Sequence, residues 1–530
     1  MRVVHLNYWD ILGGAAKGMF ILHNELRNIG VDSWLIVAQK DSNDKYTIEL
    51  YNDKQREERK NLEHVPERLY INKEPLMMNS NLLDSPQLLQ IIKQLNPDII
   101  HIHWQGHGFF SIEDLSKFNK PIVWTLRDWA MMTGGCHHPL LCDRFEEDCG
   151  KCPILQSTNP KDLTRQNLER KKKEFQNLNL TIVGISPYMS QQASKSFLFN
   201  KNIVTIHNNI DNEKYYPMEK KFAFDILNLK TSKQIVTIGA NSLNDLHKGF
   251  EYFLQALNYI EKNIFVLIFG EIDESKLEKI PCNFKYLGYI KDDEFLRAIY
   301  SASDVFVAPS LYEPFGKTVA EAMHCGTPVV SFKGAGGPDF IIDHKQNGYL
   351  ANKSDSKDLA CGINFILNYK SYKKMSQNAS SKIKKYFLKD KVAKEYNDLY
   401  KTIIDENYSI SQKQELNLYK NLLKLPDIKL LYKNLLTYSQ SQYIVYGYGS
   451  TGKFLDELLI DKILFFIDSD INKTDNKRVF HISSFPTIKS DIVVIVSLVD
   501  RFNEVSKELI KNNISNRIIN LSDFLMENEL

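Results

Sequence analysis

Short apolar runs alternate with longer amphipathic segments along most of the chain. Runs such as Arg2 to Leu6, Trp34 to Val37 and Gln234 to Ile238 are mainly apolar, which is typical of strands buried on both faces of a parallel sheet. The segments Lys17 to Asn28 and Phe250 to Ile260 have the apolar spacing of helices. This alternation predicts an α/β protein built from parallel sheets.

One stretch, Ser303 to Phe332, combines a strand, a helix and a second strand. Val305 to Ala308 and Pro328 to Phe332 are apolar runs, and residues 318–324 between them have helical composition. Gly316 allows a tight turn before the helix, so free N–H groups of the first turn point out of the carboxyl edge of the sheet. Such a helix start favours an anionic ligand, most naturally a phosphate.

Two glutamates flank this helix start, Glu313 in the preceding loop and Glu321 inside the helix. Carboxylates repel a phosphate ligand unless they bind another part of it, and sugar or ribose hydroxyls are suitable donors. Taken alone, each glutamate is explained equally well as a solvated loop residue or a carboxylate favoured by the helix dipole. Together with the turn, they indicate a sugar-nucleotide site.

The string EPFGKTVAE from Glu313 to Glu321, followed by AMHCGTPVV, resembles the donor-site motif of family 4 retaining glycosyltransferases, which have the GT-B fold. The resemblance implies that the first glutamate contacts the donor sugar, the second contacts the ribose, and the backbone after the Phe-Gly pair binds the diphosphate. It implies a nucleotide-diphosphate-sugar donor held by these residues: Glu313, Phe315, Gly316, Lys317, Thr318 and Glu321.

Two further elements fit the donor site of that family. Gly13 and Gly14 follow the first predicted strand, where a glycine-rich turn brings backbone close to a ligand, although tight packing explains such a pair about as often. Lys248 precedes a glycine at a predicted helix start, where it is placed to pair with a diphosphate. The resemblance implies a catalytic role for Lys248 in stabilising the departing diphosphate, without a required metal, while Glu313 orients the sugar.

Three polar residues follow buried strands of the first half: His103, Arg127 and Asp128. Loops after parallel strands gather at one edge of the sheet, so these residues are candidates for the cleft. The family often carries a histidine where Arg127 stands. Arg127 and Asp128 are therefore candidate catalytic residues, with phosphate binding by Arg127 and a mutual Arg127–Asp128 pair as open alternatives. His103 is either a core histidine or an acceptor-side residue.

A cysteine-rich insert, residues 133–153, holds Cys136, Cys142, Cys149 and Cys152. Clustered thiols in a reducing compartment ligate zinc more often than they form disulfides, and the C-x-x-C pair resembles half of a structural zinc site. Structural zinc and free thiols packed in a loop are the two alternatives. The Thr-Gly-Gly-Cys-His string here also resembles an element of the family 4 subgroup that builds bacterial surface polysaccharides such as colanic acid.

The resemblance covers residues 1 to about 405. It implies an N-terminal GT-B domain at 1–205 on the acceptor side and a C-terminal GT-B domain at 206–405 that binds the donor, facing each other across a cleft. The helix-rich end of the second domain is expected to cross back onto the first. Asn347-Gly348 predicts a hairpin turn. A helical connector at 406–440 and a small Rossmann-like α/β domain at 441–530 are expected to follow.

This last domain opens with a glycine-rich fingerprint. Gly447, Gly449 and Gly452 form G-x-G-x-x-G after a predicted strand, and Asp468 ends the next strand, an arrangement that fits a second nucleotide site for NAD(P) or another nucleotide. About 90 residues are too few for a catalytic partner domain, so a degenerate or structural role stands beside nucleotide binding.

Net charge and the length of the apolar runs limit the classes of partner that the protein is expected to bind. A formal net charge of +2 over 530 residues argues against a nucleic-acid ligand. No apolar run approaches the ~20 residues that span a bilayer, and the first residues lack signal-peptide architecture, so a cytoplasmic protein is expected, with peripheral contact at the inner membrane face left open.

We therefore expect a retaining hexosyltransferase that moves a sugar to a glycan or lipid-linked acceptor in bacterial capsule or lipopolysaccharide synthesis. A sugar-nucleotide epimerase of the same fold and a non-catalytic sugar-nucleotide-binding scaffold are the alternatives. An epimerase needs no acceptor, and a scaffold turns nothing over.

Overall fold

Parallel sheets flanked by helices account for the described part of the chain. The computed structural model describes residues 1–74, 76–140, 142–198, 200–261 and 263–424, together with five strands beyond them. Tertiary contacts divide the chain into two units, Met1–Ile404 and Asp405–Leu530. Within these described residues, no helix is long and apolar enough to span a membrane.

The first domain of the first unit is an α/β sheet with helices on both faces. Its elements are β1 (Arg2–Trp9), α1 (Gly13–Asn28), β2 (Asp32–Gln39), β3 (Thr47–Glu49), α2 (Asp53–Glu63), α3 (Pro86–Leu95), β4 (Ile99–Trp104), α4 (Asp114–Lys117), β5 (Ile122–Leu126), α5 (Leu163–Phe175), β6 (Leu180–Gly184), α6 (Pro187–Lys195) and β7 (Asn202–Thr205). The strands pair in parallel in the order β3-β2-β1-β4-β5-β6-β7. The central strands are buried along nearly their whole length, because helices cover both faces of the sheet.

The second domain repeats this architecture. Its elements are α7 (Lys220–Ile226), β8 (Gln234–Ser242), α8 (Phe250–Leu257), β9 (Ile264–Glu271), α9 (Glu274–Leu277), β10 (Phe284–Tyr286), α10 (Asp293–Ala302), β11 (Val305–Ala308), α11 (Lys317–His324), β12 (Val329–Phe332), α12 (Pro338–Ile341), β13 (Gly348–Ala351), α13 (Ser356–Leu367), α14 (Tyr372–Tyr386) and α15 (Lys389–Lys424). Six strands pair in parallel in the order β10-β9-β8-β11-β12-β13. The predicted strand-helix-strand unit is thus present as β11, α11 and β12.

The predicted hairpin at Asn347-Gly348 is wrong. Gly348 begins β13, which runs parallel to β12 at the edge of the sheet. Asn347 instead closes the turn before that strand, because its side-chain oxygen accepts a hydrogen bond of 2.8 Å from the backbone N–H of Asp343. The turn residues were recognised, but the direction of the strand that they feed depends on the distant partner strand.

Helix α15 returns to the first domain, as predicted. The hydroxyl of Tyr396 bonds to the hydroxyl of Thr125 at 2.8 Å, and the hydroxyl of Tyr400 lies 2.6 Å from Nδ1 of His101. Both tyrosines are buried against β4 and β5. Helix α15 therefore packs the second domain of the first unit against its first domain.

The second unit contains a third parallel sheet. Its described strands are β14 (Tyr443–Tyr446), β15 (Ile463–Asp468), β16 (Val479–His481), β17 (Val493–Val496) and β18 (Ile518–Asn520). They pair in the order β16-β15-β14-β17-β18, which is the order of a Rossmann-like sheet with its first strand at the centre. Asp468 ends β15 as expected. Gly447, Gly449 and Gly452 lie outside the described residues, so the nucleotide site there stays a prediction.

Candidate active site

The loop before α11 brings Glu313 next to Lys248. Lys248 Nζ lies 2.7 Å from Glu313 Oε2, and both side chains are partly buried. Burial alone would raise the pKa of Glu313, but the positive charge of Lys248 holds that pKa below its ordinary value. Glu313 is therefore ionised at neutral pH and paired with a cation.

Backbone contacts fix the position of this loop. The N–H of Glu313 donates to the carbonyl of Ala335 at 2.8 Å, and the N–H of Gly337 donates to the carbonyl of Glu313 at 2.8 Å. Gly337 permits this approach, because a Cβ there would lie 2.1 Å from the carbonyl oxygen of Phe315. The glycine-rich turn after β12 thus acts as the support for Glu313.

Helix α11 begins at the edge of the same site with an uncapped N-terminus. Gly316 precedes it with φ of 94°, a conformation that glycine adopts readily, and no side chain caps the helix. Thr318 in the first turn lines a cavity of about 20 Å³ together with Lys248 and Glu313. The side chain of Phe315 is buried, so Phe315 offers a ligand its backbone alone.

Glu321 lies deeper, in the middle of α11. Its Oε2 accepts a hydrogen bond of 3.1 Å from the buried hydroxyl of Tyr300, and Lys317 Nζ stands 3.9 Å from its Oε1. Burial raises the pKa of Glu321, while Lys317 and Tyr300 oppose that rise. A buried carboxylate with one tyrosine donor retains acceptor capacity for ligand hydroxyls.

The first domain presents a second uncapped helix start to the cleft. Helix α1 begins at Gly13, with φ of 85°, rather than at Lys17 as its apolar spacing predicted, and no side chain caps it. A Cβ added at Gly13 or Gly14 would meet no atom within 4 Å, so space remains beside these glycines. Lys17 Nζ reaches across to Asp293 Oδ1 of the second domain at 3.5 Å, which places this helix start at the cleft.

Arg127 is held by two neighbours other than Asp128. Its Nη1 donates to Asn208 at 2.7 Å, and its Nη2 lies 3.0 Å from Nδ1 of His103. His103 is buried and bonds onward to His5 at 2.9 Å, so it reaches the cleft only through the Arg127 guanidinium. Burial lowers the pKa of Arg127, and burial also lowers the pKa of His103 well below its ordinary value. The resulting neutral imidazole orients the arginine.

Asp128 is engaged by three protein donors. Its carboxylate lies 2.6 Å from Nδ1 of His137 and accepts from Nε1 of Trp104 at 2.9 Å and from the N–H of Ala130 at 2.8 Å. Burial alone would raise the pKa of Asp128, but His137 holds that pKa below its ordinary value. Asp128 therefore fixes the start of the cysteine-rich insert, and the pairing with Arg127 that the sequence left open is not formed.

Two protein-family models match the part of the chain that contains this site. The family model described as Glycosyltransferase Family 4 matches residues 12–214, and the model described as Glycosyl transferases group 1 matches residues 219–382. Together they span both domains of the first unit. The two models support a glycosyltransferase with the GT-B architecture. The second model includes the ion pair of Lys248 with Glu313 and the start of α11.

A similar protein sequence and several solved structures also support a glycosyltransferase with this fold. An uncharacterized glycosyltransferase of Methanocaldococcus jannaschii is 25% identical over 335 residues, which are 58% of this chain and 83% of that protein. Sucrose-phosphate synthase from Thermosynechococcus elongatus superimposes with a TM-score of 0.58 at 19% identity over 76% of this chain and 99% of that one. HepE of Anabaena in complex with UDP-glucose gives 0.53 at 16% identity over 77% and 99%. The predicted GT-B fold is confirmed.

Two histidines of the glycosyltransferase that sequence reasoning did not assign also meet at the cleft. His138 of the insert stacks on His247 of the second domain, with ring centroids 4.9 Å apart. His247 directly precedes Lys248, and the adjacent His-Lys-Gly string was the signal that could have drawn attention to it.

Asp293 is a third residue of the candidate site that sequence reasoning did not assign. Besides Lys17, it accepts hydrogen bonds from Lys214 at 2.7 Å and from the hydroxyl of Tyr215 at 2.9 Å. Its only sequence signal is its place in the first turn of α10, where a carboxylate is common for dipole reasons alone.

Proposed function

We propose that this glycosyltransferase transfers a sugar from a nucleotide-diphosphate sugar with retention of anomeric configuration. The observation that carries the proposal is the Lys248–Glu313 pair beside the uncapped start of α11. A cation and free backbone N–H groups suit a diphosphate, and an ionised glutamate beside them suits a sugar hydroxyl. The fold neighbour HepE, named as a complex with UDP-glucose, supports a donor of this class.

The residues around the cleft supply the charge stabilisation that the reaction needs. As the bond between the sugar's anomeric carbon and the diphosphate breaks, negative charge grows on the leaving group, and Lys248 with the first turn of α11 stabilises it. Glu321 would bind the ribose, and the helix start at Gly13 and Gly14 would face the diphosphate from the other domain. Because these groups carry the required positive charge, we propose transfer without a required metal.

The acceptor hydroxyl attacks the anomeric carbon on the face that the diphosphate leaves. A new bond forms from the acceptor oxygen to the anomeric carbon, and the departing diphosphate takes the hydroxyl proton. Arg127, fixed by His103 and Asn208, would hold the diphosphate from the first domain. The configuration of the product, read by NMR coupling constants of the new glycosidic bond, tests retention directly.

We further propose a glycan or lipid-linked acceptor of bacterial surface polysaccharide synthesis, bound by the first domain. This domain exposes several large apolar side chains within a short segment, at 49%, 48%, 80% and 93% of their surface: Leu62, Val65, Leu69 and Ile71. Such side chains near lysine and arginine suit a membrane interface that carries a lipid-linked acceptor. Retention of the enzyme by vesicles, and its loss in Leu69→Ser/Ile71→Ser, tests this contact.

The decisive experiment compares two glutamate variants. Donor preference is first identified by thermal shift with UDP, GDP, ADP and their common sugars, since selective binding raises the melting temperature. Glu321→Ala should then weaken nucleotide binding, whereas Glu313→Ala should reduce turnover more than binding. Wild-type behaviour of both variants would overturn the proposal. Conversion of donor without acceptor would indicate an epimerase, and binding without turnover would indicate a scaffold.

A further inference from the structure

The cysteine-rich insert encloses a cavity that the glycosyl-transfer site does not use. Its volume is about 20 Å³, and its lining includes all four thiols of the insert: Cys136, Cys142, Cys149 and Cys152. All four cysteines are free, and the rest of the lining is half apolar and half glycine or polar. Four sulfurs around a void the size of a single small ligand form the donor set of a tetrahedral metal site.

Backbone N–H groups donate to two of these sulfurs, and a hydroxyl holds the backbone of a third cysteine. Cys152 accepts from the backbone N–H groups of Ile154 and Leu155, and Cys149 accepts from the N–H of Gly134. The hydroxyl of Thr133 donates to the backbone carbonyl of Cys136 at 2.8 Å and so helps to fix that cysteine. Hydrogen bonds of this kind stabilise thiolate ligands and fix their direction toward a metal.

The C-x-x-C turn itself has an uncommon backbone. Cys149 and Lys151 have positive φ of 56° and 46°, on either side of Gly150 at 85°. Outside glycine, such a conformation is unfavourable and persists where the surroundings require it. The turn directs both cysteines of the pair into the cavity.

A buried lysine lies against this cluster without an anionic partner. Lys171 is 1% exposed, and its Nζ donates to the carbonyls of Ala130 at 2.5 Å and Thr133 at 2.9 Å. In the part of the chain that the structure describes, no ion pair joins Lys171 to a carboxylate, although the charge of Asp128 acts on it from a distance. A buried cation needs a counter-charge. A divalent ion with four thiolates carries a net charge of −2, which Lys171 would partly balance.

A group of three histidines is the competing metal site. Ring nitrogens of His5, His101 and His103 lie within 4.8 Å of one another, closer than the four thiols are. However, both nitrogens of His101 are taken, by Tyr400 and Thr125, and His103 bonds to His5 and to the Arg127 guanidinium. A cation there would face Arg127 and break existing hydrogen bonds. The cysteine-rich insert, by contrast, offers four free thiols around one cavity.

We propose that Cys136, Cys142, Cys149 and Cys152 bind one structural Zn²⁺ that fixes the cysteine-rich insert. The four thiols lose their protons to solvent as they become ligands, and no bond to carbon forms or breaks. The ion holds the chain from Cys136 onward, and His138, two residues later, stacks on His247 beside Lys248. Loss of the ion should therefore also affect donor binding at Lys248, and this expectation alone rests on the proposed function.

Metal content of the full-length protein tests the site without any activity. Protein produced with zinc in the medium and purified without a polyhistidine tag should contain about one zinc per chain by mass spectrometry of the metal. Cys149→Ser/Cys152→Ser should lose that zinc and melt at a lower temperature. The matched control is Cys361→Ser, an exposed thiol outside the insert, which should keep its zinc. Zinc-free wild-type protein, or a double variant that keeps its zinc, would overturn the proposal.

A second measurement covers the case in which the double variant does not fold. Cobalt exchanged into the wild-type protein should give the intense sulfur-to-cobalt absorption and visible bands of a tetrahedral four-thiolate site. Absence of these bands, or thiol titration that finds the four cysteines oxidised in pairs, would contradict the site. Zinc-loaded protein that fails to bind any sugar nucleotide would instead refute the proposed function and leave the zinc site intact.

Discussion

The imidazole of His138 in the first domain stacks on that of His247 in the second, with the two planes 25° apart. Burial lowers the pKa of His138, and burial together with Lys248 lowers the pKa of His247 to about 3. Both rings are therefore neutral near pH 7. The stack joins the cysteine-rich insert to the residue next to Lys248 without placing a charge there.

Removing this stack should lower the catalytic efficiency, kcat/KM, more than the melting temperature. Ring stacking is worth about 1 kcal/mol, so His138→Ala should reduce kcat/KM by roughly 5-fold with little change in Tm. His344→Ala, at an exposed histidine of the second domain, is the control and should leave kcat/KM unchanged. An unchanged kcat/KM in His138→Ala would show that the contact between the domains is incidental.

The Lys248–Glu313 ion pair should behave as one unit. Lys248→Met should lower kcat by about 10²–10³-fold, because the leaving diphosphate loses its cation. The double variant with Glu313→Gln should cost less than the sum of the single losses, since each single change leaves a partly buried charge unpaired. Steady-state kinetics of the two single variants and the double variant measure this coupling, and additive losses would argue against a shared role.

The same pair gives a prediction for pH. Lys248 holds the pKa of Glu313 below its ordinary value, so the wild-type ion pair is complete above the unfolded pKa of a glutamate and is lost only as the pH falls through the lower folded pKa. In Lys248→Met burial acts unopposed, and the pKa of Glu313 rises. The acid limb of the kcat profile should therefore move to higher pH in Lys248→Met. An acid limb that stays in place would assign it to another group.

For Glu321, the pH dependence of stability should have the opposite sign. Burial raises its folded pKa, so its contribution to stability is complete below the unfolded pKa and is lost as the pH rises through the folded value. Glu321→Gln keeps an acceptor for Tyr300 without the charge. The variant should therefore melt higher than wild type at about pH 8 and like wild type at about pH 4, while donor affinity falls at both. Equal melting temperatures at about pH 8 would contradict the buried charge.

Substitution of two glycines should distinguish a residue needed for folding of the site from one needed for donor binding. Gly337→Ala places a Cβ 2.1 Å from the carbonyl of Phe315 and should cost roughly 3 kcal/mol or more of folding free energy. Gly14→Ala meets no protein atom within 4 Å and lies in a helix, so its Tm should hold or rise slightly while donor affinity falls. Calorimetry and donor titration of both variants check this contrast. Normal donor affinity in Gly14→Ala would remove that helix start from the donor site.

The parts of the site that are contiguous in sequence could be predicted, and the parts built from distant segments could not. Gly316 and Glu313 lie in one strand-turn-helix unit, so their local geometry follows from turn and strand chemistry. Asp293 meets Lys17 across 276 residues, and no local pattern marks that pair. The partners of Arg127 likewise come from other strands and loops. The strands could be predicted from their apolar runs, because both faces of the sheets are buried.

The Lys17–Asp293 ion pair has a consequence for how the enzyme is loaded. Lys17 stands one turn into the helix that begins at Gly13; under the proposed function, an arriving diphosphate would compete with the Asp293 carboxylate for the Lys17 ammonium group. Donor binding would then exchange one anion for another at Lys17, and release of the nucleotide product would restore the original ion pair. We expect raised ionic strength to speed that departure, so that turnover limited by product release would quicken with salt before binding fails.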